Sequence, residues 1–300
     1  MSRRGWLLFI AMGVIWGVPY LFIKVAVEDL TPVALVFLRS VVAALLLTPI
    51  ALARGQFRSL SRSWRPLLAY TIAELAVPWF FLATAEQHIS SSLAGLLLAA
   101  VPLVGAVLGW LTRSDRLDWR RGAGLLIGLG GVVALVGLDL DASDTGAVLA
   151  MGVVAVGYAV GPFILDRRLS DAPQLGVVAA SLIITSVIYA PVAAFQLPRQ
   201  WPPVDATVSV LVLAVLCTAI AFLLFFALIA EVGPTRATVI TYLNPAVAIA
   251  LGAVFLDEPI TTGIVVGFVL VLAGSAIATR RSRPAAPAAP EKSTVESAPS

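Results

Sequence analysis

Apolar residues run along this chain in stretches of about twenty, separated by short polar breaks. Ten such stretches stand out, at 6–27, 31–53, 66–86, 90–112, 121–138, 145–165, 174–195, 207–230, 235–256 and 261–279. About 20 apolar residues in an α-helix match the hydrocarbon core of a bilayer. The pattern therefore predicts an all-α integral membrane protein of ten transmembrane helices. The connections are short, and no soluble domain is inserted between them.

Composition agrees. The 300 residues are 60% hydrophobic and only 12% charged, with a mean hydropathy of +0.98. A soluble domain carries about a quarter charged residues. What remains here cannot build a water-facing surface, so the solvent has to be lipid. The lone cysteine, Cys217, excludes an internal disulfide or a Cys-based metal site. With His88 the sole histidine, a His-ligated metal is not expected either. We expect no cofactor.

Ser2-Arg3-Arg4 ahead of an apolar run could open a signal peptide. The run is too long for one, and Lys24, Glu28 and Asp29 precede any small-residue cleavage site, so it reads as a retained helix. With the first residue on the cytoplasmic side and ten alternating spans, the inner segments hold sixteen arginines: Arg3, Arg4, Arg54, Arg58, Arg62, Arg65, Arg113, Arg116, Arg120, Arg121, Arg167, Arg168, Arg236, Arg280, Arg281 and Arg283. The outer side has Arg199, Lys24 near a helix end, and the acids Glu28, Asp29, Asp139, Asp141, Asp144, Asp205, Asp257 and Glu258. Positive residues stay inside, so both termini are read as cytoplasmic and the membrane as a bacterial inner membrane. Trp6, Trp64, Trp110, Trp119 and Trp201 fall at predicted interfaces, where aromatic belts form. Residues 284–300, rich in Pro and Ala and then polar, read as a disordered cytoplasmic tail.

Two stretches repeat at an offset of 143 residues. Ala94 matches Ala237, Pro102 matches Pro245, Val104 matches Val247, and Leu108-Gly109 matches Leu251-Gly252. Asp115 then matches Glu258, Leu117 matches Ile260, Gly124 matches Gly267, and Gly131 matches Gly274. Five helices per half is an odd number, so the halves, 1–140 and 141–283, enter the membrane with opposite orientation. Such inverted repeats are a recurring plan of secondary transporters, with the substrate site near the midplane between halves. Only the last two helices of each half match firmly.

The run Thr235-Arg-Ala-Thr-Val-Ile-Thr-Tyr-Leu-Asn-Pro245, with Leu251-Gly252, Asp257-Glu258-Pro259-Ile260-Thr261, Gly267 and Gly274, resembles the EamA-type permeases of the drug/metabolite transporter superfamily. Trp16-Gly17 with Lys24, Leu38-Arg39, and Pro102 through Gly131 are similar to the first-half signatures of that family. The resemblance covers residues 6–279. It implies ten helices in two inverted five-helix repeats and transport of small organic solutes, commonly export of amino acids, other metabolites or drugs. Asp115 departs from the Glu usual in the family, and Glu86-Gln87-His88 is unusually polar.

Charges inside a bilayer cost roughly 2.5–3.5 kcal/mol or more and are functional candidates by default. Glu74 lies nine residues into the third helix, about 13 Å deep, and its short side chain cannot snorkel. It is the candidate proton or cation site, with a structural salt bridge as the competing reading. Arg39, about 12 Å deep in the second helix, could pair with Glu74 or bind an anionic group. Lys24 can reach water by its long stem. His88 and Glu86 fall at the outer lip of the third helix, where solvated side chains are expected. Trp16, Tyr20, Trp79, Tyr158, Tyr242 and Asn244 are further cavity candidates, weighed against plain packing. Pro102 and Pro245 read as mid-helix kinks and gating hinges. Small-xxx-small pairs at Gly13–Gly17, Gly105–Gly109, Gly124–Gly128, Gly157–Gly161 and Gly263–Gly267 read as close helix packing, compatible also with a homodimer.

A secondary transporter, proton-coupled through Glu74 and working by alternating access, accounts for these features. An uncoupled uniporter is the nearest alternative. An intramembrane enzyme would need paired histidines with a carboxylate, or a Ser/His pair. The chain has no glycine-lysine phosphate loop for direct ATP coupling. A channel would want a ring of polar groups. The expected partners are a small-molecule substrate and the lipid bilayer, and not nucleic acid.

Overall fold

A computed structural model describes residues 1–112, 118–139 and 144–279, and among these every regular element is helical. The expected tail 284–300, the turn residue Asp115, Asp141, and Arg113, Arg116, Arg280, Arg281 and Arg283 lie outside the described residues.

Seven segments precede the last three. They are α1 (Arg3–Ile15 and Pro19–Asp29), α2 (Pro32–Ala53), α3 (Trp64–Thr71 to Val77–Glu86), α4 (Ser91–Leu98 and Val101–Leu111), α5 (Trp119–Asp139), α6 (Thr145–Arg168) and α7 (Gln174–Gln196). After them come α8 (Val204–Leu211 to Ala221–Val232), α9 (Asn244–Phe255) and α10 (Thr262–Ala278). Eight of these spans, α1 to α8, are long and apolar enough to cross a membrane. The protein is thus a multi-pass membrane protein. The last two apolar helices, Val239–Phe255 and Thr262–Ala278, are shorter than the others. The approach to α9 is spent on the turn Pro234–Ala237 and the 3-10 segment Thr238–Tyr242, which rises faster per residue than an α-helix.

Hydroxyl caps start several helices. Ser2 accepts from Gly5 N at 2.9 Å, Thr31 from Ala34 N at 3.2 Å, Ser90 from Leu93 N at 3.2 Å and Thr261 from Ile264 N at 3.1 Å. Each satisfies an amide that the helix itself leaves unpaired.

Three helices break within the bundle. α1 stops at Ile15 and restarts at Pro19; α4 stops at Leu98 and restarts at Val101-Pro102; α9 begins at Asn244-Pro245 after the 3-10 turn. The sequence suggested kinked, continuous helices at Pro102 and Pro245. Instead each proline occupies the first turn of a new helix, where a missing N–H costs nothing. The freed carbonyl of Ala99 accepts from Ser275 Oγ at 3.0 Å. Pro49, Pro162 and Pro191 do sit inside continuous helices.

Two helices carry π segments, α3 at Ile72–Ala76 and α8 at Val212–Ile220. Residues 72–76 shifted by the sequence offset of 143 fall within the second segment.

The largest contact joins α5 to α10, and α2 packs on α7, α3 on α6, α4 on α9, and α1 on α8. Glycines set the α5–α10 seam: a Cβ at Gly124 would meet Ala278 N at 2.5 Å, and one at Gly131 would meet Val271 N at 2.8 Å. Gly13 and Gly17 of α1 face Leu243 and Val247, and Gly157 and Gly161 of α6 face α3. Gly105 faces open space, so that spacing is not a packing seam here. Trp6, Trp64, Trp110, Trp119 and Trp201 are all exposed, whereas Trp79 is buried.

Candidate functional site

The two π segments face the same polar cluster. In α8 the wider turn lets Thr218 Oγ1 donate to Leu213 O at 2.7 Å, five residues back. The same hydroxyl accepts from Arg39 Nε at 3.0 Å. Arg39 comes from α2 and is buried, with its guanidinium carbon 3.9 Å from the centre of the Trp79 ring. A guanidinium stacks readily on an aromatic face and loses less hydration than an ammonium would. Trp79 follows the π segment of α3, and Tyr158 of α6 lies within reach of it.

Glu74 lies within the α3 π segment. It points at α6, where Gly161 leaves room: a Cβ there would collide with Glu74 Oε2. Gly157, one turn earlier, lets α6 approach Ala73 O and Pro78. Glu74 is half-buried, but its Oε2 is fully enclosed and has no hydrogen-bond partner. Tyr70 and Tyr158 lie within electrostatic reach of it. The carbonyl of Ala76, in the same π segment, accepts from Tyr189 of α7 at 2.8 Å. Below it, Thr71 Oγ1 meets Ser181 Oγ at 2.9 Å, tying α3 to α7.

Arg39 therefore does not pair with Glu74. Its partners are Thr218 and Trp79. A bulged helix supplied the hydroxyl that the sequence could not place.

At the end of the bundle away from most arginines, Lys24 Nζ donates to the carbonyls of Glu86 at 2.7 Å and Ile89 at 3.0 Å. It thereby closes the C-terminus of α3, where a cation is favoured. Glu86 is not the solvated lip residue that its sequence position suggested. It is 0% exposed, and neither carboxylate oxygen has a hydrogen-bond partner. The loop beyond it folds back, burying Ile89 and leaving Gln87 and His88 exposed. Tyr20 of α1 is buried within electrostatic reach of both Glu86 and Tyr158. Nearby, the Glu258 carboxylate accepts from Ser91 N at 2.7 Å, Ser92 N at 2.9 Å, Ser91 Oγ at 3.1 Å and Ser92 Oγ at 2.5 Å. This carboxylate from the α9–α10 turn caps α4, an anion at a helix N-terminus.

The structure thus brings together Tyr20, Arg39, Glu74, Trp79 and Tyr158, with Lys24 at the rim. Trp16 lies elsewhere, 4.6 Å from Phe225 and 6.1 Å from Phe222 between ring centres. Asn244, in the amide orientation that satisfies its neighbours, donates to Gly13 O and Ile240 O at 3.0 Å each and bridges two helix breaks. Tyr242 meets Thr279 at 3.0 Å between hydroxyls. Thr218, Tyr70 and Cys217 were missed as site residues by sequence reasoning. The 143-residue offset carried one usable signal, since it maps Glu74 onto Cys217. Among the described residues, no group of His, Cys, Asp and Glu could hold a metal ion.

Residues 3–137 and 145–280 each match the model of the EamA-like transporter family. A Bacillus subtilis (strain 168) protein named as uncharacterized transporter YvbV is 25% identical over 94% of this chain and 93% of its own length. A Salmonella typhimurium (strain LT2) protein named as a probable amino-acid metabolite efflux pump is 26% identical over 91% of this chain and 94% of its own. One crystal structure of another protein superposes with a TM-score of 0.67 at 24% identity, covering 93% of this chain and 98% of that one. At that identity the likeness is one of fold.

Proposed function

The chain belongs to the EamA-like transporter family, and we propose that it is a proton-coupled secondary transporter that exports small organic metabolites, such as amino acids or drugs, across a bacterial inner membrane by alternating access. The observation that carries this reading is the Glu74 carboxylate, whose enclosed Oε2 has no hydrogen-bond partner, within electrostatic reach of Tyr158 in a bundle where Arg39 stacks on Trp79. Carboxylates inside a membrane bundle serve proton relays. π segments are frequent at functional sites.

In this reading all ten apolar helices cross, both termini are cytoplasmic, and the halves are inverted repeats. Five features support the repeat. The π segments and the α4 and α9 breaks fall at one offset, as do Pro19 with Pro162 and Lys24 with Arg167. The fifth is the packing: exchanging each helix with the one five places along turns the α1–α8 contact into α6–α3, and leaves α2–α7, α4–α9 and α5–α10 unchanged. In this mechanism Glu74 carries the proton, while Arg39, Trp79, Tyr158 and Tyr20 line the substrate path. Breaks at Pro102 and Pro245 leave backbone free to flex where the halves meet. The amino-acid efflux named for the Salmonella relative supports the substrate class.

Purified protein in liposomes holding a pH-sensitive dye tests this, with pools of amino acids, nucleobases, phosphorylated sugars and cationic drugs added outside. Protein-dependent proton movement with one pool is expected. Silence with every pool, in both dye and radiolabelled counterflow, would sink the transport reading.

A further inference from the structure

The turn between α3 and α4, residues 87–90, is a strap pinned at both ends. On one side Lys24 Nζ of α1 donates to Glu86 O at 2.7 Å and Ile89 O at 3.0 Å. On the other, the Glu258 carboxylate accepts from Ser91 N at 2.7 Å and Ser92 N at 2.9 Å. A cation at the end of one helix and an anion at the start of the next are both favoured. Gly252 leaves the space that Glu258 fills, since a Cβ there would strike its carboxylate. The first part of α4, Ser91–Leu98, packs along α9, whereas Val101–Leu111 packs mainly on α6 and α10. In the proposed orientation α4 and α9 are therefore joined at the outer end, under the strap.

Beneath the strap the Glu86 side chain is 0% exposed, and neither carboxylate oxygen has a hydrogen-bond partner. A carboxylate shut away without hydrogen bonds sheds its charge by taking up a proton. The charged and titratable groups around it are Lys24 and Tyr20 of α1, Arg39 of α2, Tyr158 of α6 and Glu258. Lys24 is bound to the backbone carbonyl of this same residue and not to its carboxylate. We propose that Glu86 is a second proton-binding residue of the transporter, which holds the strap 87–90 shut while protonated and releases it on giving its proton to the outer water. Once ionised, Glu86 draws the Lys24 ammonium off the two carbonyls or swings out to solvent, and the strap loses its pin either way. This inference rests on the transport reading and adds to it. Glu74 keeps the coupling proton, and Glu86 lets the outer pH set the outer gate. The closed form holds a proton that the open form lacks, so acid favours closure and rising pH favours opening. That sign suits export, because proton uptake from outside then shuts the emptied carrier on its outer side.

Cysteine labelling in liposomes reads the strap without any solute. In Cys217→Ala protein, Ile89→Cys replaces a side chain that is 3% exposed and reports opening. His88→Cys, at an exposed position of the same turn, reports the reactivity of a solvated thiol. The ratio of their labelling rates with a membrane-impermeant maleimide cancels thiol ionisation and protein orientation. With Glu86 in place this ratio should rise at least about tenfold from about pH 5 to about pH 9, as one linked proton dictates. In Glu86→Gln protein, which keeps the size but not the ionisable group, it should stay low and flat. A flat ratio with Glu86 in place overturns the inference and needs no Glu86 variant to fold. A rise that survives in Glu86→Gln protein also overturns it. So does a rise abolished by His88→Asn in the Ile89→Cys chain, which would make His88 the sensor. None of these readouts requires transport, so silence in the dye and counterflow assays is the separate failure of the transport reading.

Discussion

The π segment of α3 and the π segment of α8 are one backbone device used twice with different side chains. In α3 the bulge presents Glu74, and its carbonyl at Ala76 accepts from Tyr189, outside the helix. In α8 the position offset by 143 is Cys217, buried and free, and the bulge is satisfied from inside by its own Thr218. One bulge therefore holds a titratable group against a glycine face, and the other holds a hydroxyl that fixes Arg39. A duplicated scaffold that kept both sides alike would offer one chemistry twice. In the proposed mechanism the repeat supplies geometry and the side chains divide the work, the proton to one half and the orientation of a fixed cation to the other.

The largest effect should come from removing the chemistry of α3 alone. Glu74→Gln retains shape and hydrogen bonding but cannot exchange a proton. Transport driven by a pH gradient should drop to background, and the pH dependence of counterflow should flatten, while the protein stays folded. A variant with the wild-type pH profile would show that the two bulges do not differ in the way described. Next in size is Gly161→Ala. The added methyl would strike the Glu74 carboxylate, and overpacking of this kind costs about 1–3 kcal/mol. A lowered melting temperature in detergent should accompany several-fold slower transport. The position 143 residues earlier is Val18, so α1 reaches α8 without the glycine that α6 needs to reach α3.

Much of the frame was legible in the sequence. Apolar run length located the eight helices long enough to cross a membrane, because lipid leaves the backbone no other way to satisfy its polar groups. The matched prolines located the breaks of α4 and α9, although not their form. A proline reads as a kink in a string of letters, and only packing shows whether the helix bends or restarts. The site was less legible. Arg39 and Glu74 share a depth, which suggested a pair, but a π bulge carries no sequence signal and it rotated Thr218 into Arg39's path. Glu86 stands at a helix end, where water is the default. Its burial depends on the turn back through Ile89 and on Lys24, 62 residues away. The Glu258 cap on Ser91 and Ser92 joins residues about 166 apart, beyond any local pattern.

A finer test separates how each bulge is held. Tyr189→Phe removes the donor to Ala76 O and should cost about 1 kcal/mol, seen as a melting shift of a few degrees. Transport should slow modestly, since the α3 bulge then lacks its external support. Thr218→Val should cost about as much in stability but act on substrate affinity, because it frees Arg39 rather than Glu74. If both variants changed only the pH profile, the division between the halves would be wrong.

Cys217→Ala should have the smallest effect, and it completes the comparison. Cys217 occupies the place in α8 that Glu74 occupies in α3, and it is 2% exposed. A free buried cysteine behaves as a small hydrophobe, so losing its sulfur removes packing of about one methylene, about 1 kcal/mol. The pH profile and the counterflow rate should both match wild type within error, with only a slight fall in melting temperature. A substantial loss of proton coupling in Cys217→Ala would mean that the second bulge also handles the proton, and that the halves are alike in chemistry as well as in backbone.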